Sequence, residues 1–417
     1  MTPDILPRPV ARAVRVVAIL LAVVAVLPLA LGGLTTSFKA GMADPAWPTE
    51  PWFLIANGHK YELKRNLAFL MEHTHRAAAY IAGGLASVLA VMAWWTARGP
   101  RTRFAGLFAI IGLLATYGDF HRRMMTVMDF RTDHPGEPLV YPATQGGMAI
   151  GFALLLVGAC VVHLFGRERG KWVRSLSGFI LIAVMIQGLL GGFRVFLDQL
   201  TGLTNTVGVE FSALHGIFAQ VVFSAMVCAA LLAAWPKPEF DLPAAARARL
   251  GGVSLALVAA TFLQLLWAVW VRHAPTPLAQ RLHFLTAFVV FGLAVWLTGR
   301  AMATPERRKS LGFDVRHLIG LLALQILLGV EAWMSKFAAA GPDAALPPEM
   351  RPVTVWSGSI RTLHQLIGTA ILASSVVIAV RVRRRTASAK VPTATDTAAA
   401  FDPRSRADSL APVPAQA

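Results

Sequence analysis

A chain of 417 residues that is 56% hydrophobic and only 15% charged is not an ordinary soluble domain, in which about a quarter of residues carry charge. The net charge of +17 would suit nucleic acid, but the basic residues fall in short clusters between apolar runs of the ~20 residues that span a bilayer. Clusters so placed orient helices across a membrane, so the expected partner is lipid and nucleic acid is set aside. The two cysteines, Cys160 and Cys228, lie inside apolar runs, which excludes a disulfide framework.

The first predicted span, about 14–35, follows Arg8 and Arg12 and has Arg15 at its start. It is too long for the apolar stretch of a secretory signal and lacks a small-residue cleavage site, so it reads as a retained helix after a cytoplasmic segment 1–13. The second, about 67–96, opens on Met71-Glu72-His73-Thr74-His75-Arg76. Glu72, His75 and Arg76 share one helix face, and His73 points elsewhere. The third, about 103–119, has an apolar core from Phe104 to Tyr117 that is short for a span. It leads, with His121 at its end, into a loop, 118–144, that carries Arg122, Arg123 and Arg131, and then into a fourth span at about 146–166.

The fifth span, about 174–197, contains Gln187-Gly-Leu-Leu-Gly191 and then Arg194, and the sixth, about 211–235, opens on Leu214-His215-Gly216. The seventh, about 250–272, closes on Arg272 and His273, and the eighth, about 279–299, carries His283. The ninth, about 313–335, contains Gln325-Ile-Leu-Leu-Gly329, and the tenth, about 360–381, opens on Arg361-Thr-Leu-His364-Gln365. The tail 386–417 is rich in Ala, Pro, Ser, Thr and Asp without apolar periodicity, the composition of a disordered segment.

With the N-terminus inside, every inner loop is basic: Arg98, Arg101 and Arg103, then Arg167, Arg169, Lys171 and Arg174, then Lys237, Arg247 and Arg249, then Arg300, Arg307, Arg308 and Lys309. Arg381, Arg383, Arg384 and Arg385 place the C-terminal flank inside too. Four histidines, His75, His215, His283 and His364, then stand at matched depth near the outer ends of alternate helices. Ionisable side chains in a span are costly and usually face a bundle interior or a cofactor. Neutral imidazole is a good iron ligand, and two helices each offering one histidine at one height can clamp a heme. Zinc prefers tight clusters with cysteine or short ligand spacings, and neither is present. The remaining histidines (His59, His73, His121, His134, His163, His273 and His317) read as loop, helix-end or core residues.

The chain repeats itself, because each QxLLG segment is followed by a histidine-bearing helix. The repeat pairs His75 with His215 and His283 with His364. His75 to Gln187 is 112 positions and His283 to Gln325 is 42, an excess of 70 that corresponds to an inserted helical pair at about 100–170. The expected fold is an all-α polytopic membrane protein of about ten helices, with two tandem four-helix bundles, 14–235 and 250–381, and the insertion in the first. The glycines of QxLLG either let helices pack closely or let a flat macrocycle approach the backbone. Glu72 is either one half of a Glu–Arg pair or a carboxylate that exchanges protons beside an axial ligand. The second half reads Gln280-Arg-Leu-His283-Phe284 and has no such acid. Arg194, Arg272 and Arg361 break the positive-inside bias, and they suit either interfacial anchoring or heme propionates.

These residues resemble the heme A synthase family. The match is carried by Leu31-Gly-Gly-Leu-Thr-Thr-Ser followed by Gly41-Met-Ala-Asp-Pro-Ala-Trp-Pro48, by Glu72-His-Thr-His-Arg76 against the family's ExxHR, by the two QxLLG segments and by the later histidine helices. It covers residues ~14–381 apart from the insertion. The resemblance implies oxidation of the C8 methyl of heme O to the formyl group of heme A, for cytochrome oxidase. It makes His75 and His215 the substrate-heme ligands, Glu72 the catalytic carboxylate, and His283 and His364 the ligands of a resident heme b. Arg76, Arg194, Arg272 and Arg361 are then candidate propionate contacts. A heme O synthase, oxidase assembly factors and a second copy of the chain are candidate partners, in a bacterial plasma membrane. Two departures stand out: no cysteine pair lies in Gly41 to Pro48, and Phe284 follows His283 where an arginine is common. The competing reading is a bis-heme electron carrier without substrate chemistry, which explains the four histidines but not the one-sided Glu72. A transporter is disfavoured, because the repeat is parallel and its polar cluster lies away from the midplane.

Overall fold

The computed structural model describes residues 8–41, 43, 47, 67–97, 99–133, 171–201, 207–234, 242–338, 345–346 and 350–383. These form an all-α polytopic membrane protein with nine helical spans long and apolar enough to cross a bilayer. In chain order the helices are α1 (Arg8–Val24), α2 (Val26–Ser37), α3 (Leu67–Trp95), α4 (Pro100–Asp133), α5 (Lys171–Thr201), α6 (Val207–Ala234), α7 (Ala244–His273), α8 (Pro277–Met302), α9 (Pro305–Phe337) and α10 (Val355–Arg383). The expected span 146–166, His59, His134, His163, most of 1–13 and the tail 386–417 lie outside the described residues.

The first predicted span divides into α1 and α2 at Ala25. Pro28 accounts for the break: it has no N–H to offer Val24, and its ring crowds that carbonyl. Helices α8 and α9 each start on Thr-Pro, where Thr276 Oγ1 accepts from Ala279 N and Thr304 Oγ1 accepts from Arg307 N. The threonine caps the exposed amides while proline presets the first helical φ.

The described helices bury two hydrophobic clusters. Leu21, Ala86, Leu89, Ile180 and Met226 centre one on α1, α3, α5 and α6. Leu257, Leu297, Leu311, Leu318 and Ile378 centre the other on α7, α8, α9 and α10. The halves meet where α10 packs on α2 and α6, and α6 on α7. Ile81, Phe104, Phe288 and Leu327 are exposed and suit lipid contact.

The third predicted span needs correction. It does not end at 119: α4 continues to Asp133, so Arg122 and Arg123 are helical rather than in a loop. Asp119 explains this, since it accepts from Arg122 Nη2 at 3.0 Å and Arg123 Nε at 2.6 Å, one turn on along the same face. The helix lies outside the four-helix core and packs on α3 and α5 through Ile110, Trp94 and Leu181. Gly106 permits the contact, because a Cβ there would lie 2.1 Å from Trp94 Cε3. Gly106→Ala is expected to destabilise the detergent-solubilised protein by about 1–3 kcal/mol through overpacking. Adding Trp94→Ala should recover part of that loss in a double-mutant thermal-unfolding cycle.

Candidate functional site

Four imidazoles gather in two pairs at one end of the bundle. The His75 and His215 rings lie 6.3 Å apart at 82° between planes, and the His283 and His364 rings lie 6.3 Å apart at 74°. The structure thus brings together the pairs the repeat predicted. Metal–imidazole bonds run ~2.0–2.1 Å; with about 1.1 Å more from nitrogen to ring centre, two such bonds in line separate the ring centres by about 6.3 Å. Both pairs have the ring-centre spacing that such an arrangement requires. Among the described residues no three His, Cys, Asp or Glu side chains gather as a metal site.

The ring surroundings favour ligation. His75 Nδ1 donates to Pro28 O at 2.9 Å, and His215 Nδ1 donates to Gln187 O at 3.1 Å. A carbonyl can only accept, so both rings carry their proton on Nδ1 and present the Nε2 lone pair. The second pair differs: the Gln264 side-chain amide nitrogen lies 3.1 Å from His283 Nδ1, and His364 Nδ1 is buried without a hydrogen-bond partner.

Glycine backs three of the four rings. A Cβ on Gly32 would lie 2.8 Å from His75 Cε1, and one on Gly191 or Gly329 would lie 3.0 Å from Cε1 of His215 or His364. The glycines of this region of α5 are close-packing positions. There Gly191 receives an imidazole, while a Cβ on Gly192 would meet Trp47 and one on Gly188 the Tyr117 hydroxyl. Tyr117 on α4 thus packs against α5 one turn from the glycine that receives His215. His121 packs beside it, with Tyr117 at 4.4 Å and Trp47 at 5.5 Å between ring centres.

Glu72 is buried at 5% exposure and forms an ion pair with Arg76, Oε1 to Nη2 2.8 Å. It stands one turn before His75, on the first pair only. His73 stacks on Phe69 at 5.7 Å and is buried, which fits a core role.

The remaining arginines are helix-end residues with defined contacts. Arg272 donates from Nη2 to Gly33 O and to Ser37 Oγ, each at 2.8 Å, and from Nη1 to Gln365 Oε1. It joins the residue after Gly32 to the residue after His364, across the seam between halves. Ser37 and Thr362 share a hydroxyl hydrogen bond of 2.9 Å beside it. Arg361 Nη2 donates to Ser335 O at 2.7 Å, and Lys336 Nζ donates to Val271 O at 3.0 Å. Both satisfy carbonyls in the last turn of a helix, where cations are favoured. This explains why basic residues cluster at an end where the charge bias disfavours them. The five N–H donors of a guanidinium exceed those that Arg361 and Arg272 use in these bonds. Arg194 packs on Gly41, whose Cβ would lie 2.7 Å from Nη1.

The sequence reading missed Pro28 and Gln264. Each stands four positions before a small residue, Gly32 and Ala268, as Gln187 precedes Gly191 and Gln325 precedes Gly329. That fourfold spacing was the available signal. No family model, curated protein or solved structure matches the chain.

Proposed function

We propose that the protein is a heme A synthase: it oxidises the C8 methyl group of heme O to a formyl group, in a bacterial plasma membrane with both termini cytoplasmic. The observation that carries the reading is the inequality of two otherwise matched imidazole pairs. Both have the 6.3 Å spacing, but among the described residues only the His75–His215 pair has a buried carboxylate one helical turn away. The similarity of the first loop, of Glu72-His-Thr-His-Arg76 and of the QxLLG segments to the family adds the substrate.

In this reading His75 and His215 hold heme O, and His283 and His364 hold heme b. Turning a methyl group and a water into a formyl group releases four electrons and four protons; heme iron, when bound, would pass the electrons to an external electron acceptor. The chain supplies the rest: Nδ1–H bonds orient the ligands, Glu72 takes up a proton released at the methyl edge, and Arg76 stabilises the carboxylate between turnovers. Arg76, Arg194, Arg272 and Arg361 are the candidate propionate contacts in this reading.

One observation favours the second reading, a bis-heme electron carrier: Glu72 is engaged by Arg76, as a purely structural acid would be. Expression in a host that makes heme O but lacks its own synthase separates the two. Heme A, or its hydroxylated precursor, is expected among the extracted hemes. Bound heme b with neither product would overturn the enzyme reading.

A further inference from the structure

We infer that the start of α9 is a binding site for the headgroup phosphate of an anionic phospholipid, held by Arg308, Lys309 and Arg316. The site is separate from the histidine pairs and independent of the heme reading.

Helix α9 has 33 residues, about 50 Å at 1.5 Å per residue, against a hydrocarbon layer of about 30 Å. Its first turns carry Arg307, Arg308 and Lys309, and the apolar run opens at Phe313. Arg316 falls one turn inside that run and is exposed, as are His317 and Phe313, the last at 75%. This cation therefore faces lipid, where a charge is costly unless it reaches the surface or finds a partner. Its side chain runs back one turn. Arg316 Nη1 lies 3.3 Å from where a Cβ on Gly312 would stand, beside the Arg308 stem at 3.4 Å and Met302 Sδ at 3.5 Å. Long helical side chains point toward the helix N-terminus, and their charged heads snorkel to the headgroup level. Arg308, Gly312 and Arg316 thus form one row at i, i+4 spacing, and Lys309, Phe313 and His317 the next. The Phe313 and His317 rings stack in that second row, 6.1 Å apart at 6° between planes.

Two observations point to a lipid phosphate. First, neighbouring cations at this end of the bundle are engaged by the protein. Arg381 pairs with Asp314, Arg247 donates to Leu242 O, and Arg307 donates to Arg300 O and lies beside Glu306. Arg308, Lys309 and Arg316 donate to no described residue. Second, the face of α9 that carries Arg316 stays open along the membrane. A Cβ on Gly320 would meet nothing within 4 Å, and Leu324 and Leu327 beyond it are exposed. A seat for a phosphate therefore leads into a track for an acyl chain. Guanidinium groups bind phosphate oxygens through charge-assisted hydrogen bonds, and basic pockets between membrane helices take anionic headgroups. A soluble anion would use the cations but not the apolar track.

The test titrates the full chain, purified in detergent, with dioleoylphosphatidylglycerol and separately with dioleoylphosphatidylcholine, and counts bound lipid by native mass spectrometry. Phosphatidylglycerol is expected to bind more tightly. Arg308→Gln and Arg316→Gln should each weaken its binding about fivefold, and the double variant should bind both lipids alike. Arg12→Gln and Arg101→Gln, at exposed cations on α1 and α4, should leave the binding unchanged. The wild-type unfolding temperature is expected in every variant measured without lipid, because these side chains make no bond within the protein. Where the double variant does not fold, the single variants carry the same expectation. Equal weakening by the α1 and α4 substitutions would overturn a defined site in favour of diffuse charge. Equal binding of the two lipids by the wild-type chain would overturn the headgroup assignment. Displacement of phosphatidylglycerol by inorganic phosphate at matched concentration would overturn lipid as the occupant.

Discussion

His215→Ala is expected to abolish heme A formation while the chain still binds heme b, whereas His364→Ala should lose the heme b signal. The separation follows from two cores that share few helices: His215 stands on α6 in the first, and His364 on α10 in the second. Removing a ligand takes away a bond, where removing an outer-shell partner takes away only its support. The loss at the mutated site should therefore exceed the about 10–100-fold cost of the latter. Extracted hemes resolved by chromatography report the product, and the reduced-minus-oxidised spectrum reports the retained heme. Product formation by His215→Ala within about tenfold of wild type would contradict the assignment, since ten is the low edge of even an outer-shell effect.

Glu72→Gln should bind heme as wild type does yet lose product about 10²–10⁴-fold, the usual contribution of a positioned proton acceptor. The glutamine keeps the shape of a side chain buried at 5% exposure and can still accept from Arg76. It removes only the negative charge and the capacity to take a proton. That makes it sharper than an alanine, which would leave the Arg76 guanidinium facing a cavity. A purely structural Glu72–Arg76 pair predicts a different result: normal product per folded protein, with a lower unfolding temperature as the main effect. Measuring bound heme, product and thermal stability on one preparation distinguishes the two.

Much of the architecture was legible because a bilayer imposes simple rules. Length and apolarity mark the spans, and the QxLLG spacing pairs His75 with His215 and His283 with His364 before any coordinates. Helix ends were less legible. Apolar runs stop where the hydrocarbon does, but α9 begins eight residues before the predicted 313, at Thr304-Pro305, because capping needs no lipid. Helix α4 was undervalued because Asp119, Arg122 and Arg123 look like a loop in a hydropathy window. Paired at i+3 and i+4 they continue the helix. The polar groups around the histidines were hidden for another reason. Pro28 acts through its backbone carbonyl and Gln264 through an amide in an otherwise apolar run, so neither carries a charge or a familiar motif. Only the fourfold spacing before Gly32, Gly191, Ala268 and Gly329 betrays them. The arginines at the histidine-bearing end misled in part. Their contacts with Ser335 O and Gly33 O are helix-end and interhelical hydrogen bonds that a charge-counting rule does not anticipate.

The central claim is that the four histidines form two separate axial pairs. Counting low-spin heme sites per chain tests it most directly, by titrating purified protein with heme and following the ferric low-spin signal. Saturation is expected at two bis-imidazole hemes per chain, falling to one in His75→Ala or His215→Ala and to one in His283→Ala or His364→Ala. Saturation at a single heme, or a site that survives loss of both histidines of its pair, would contradict it.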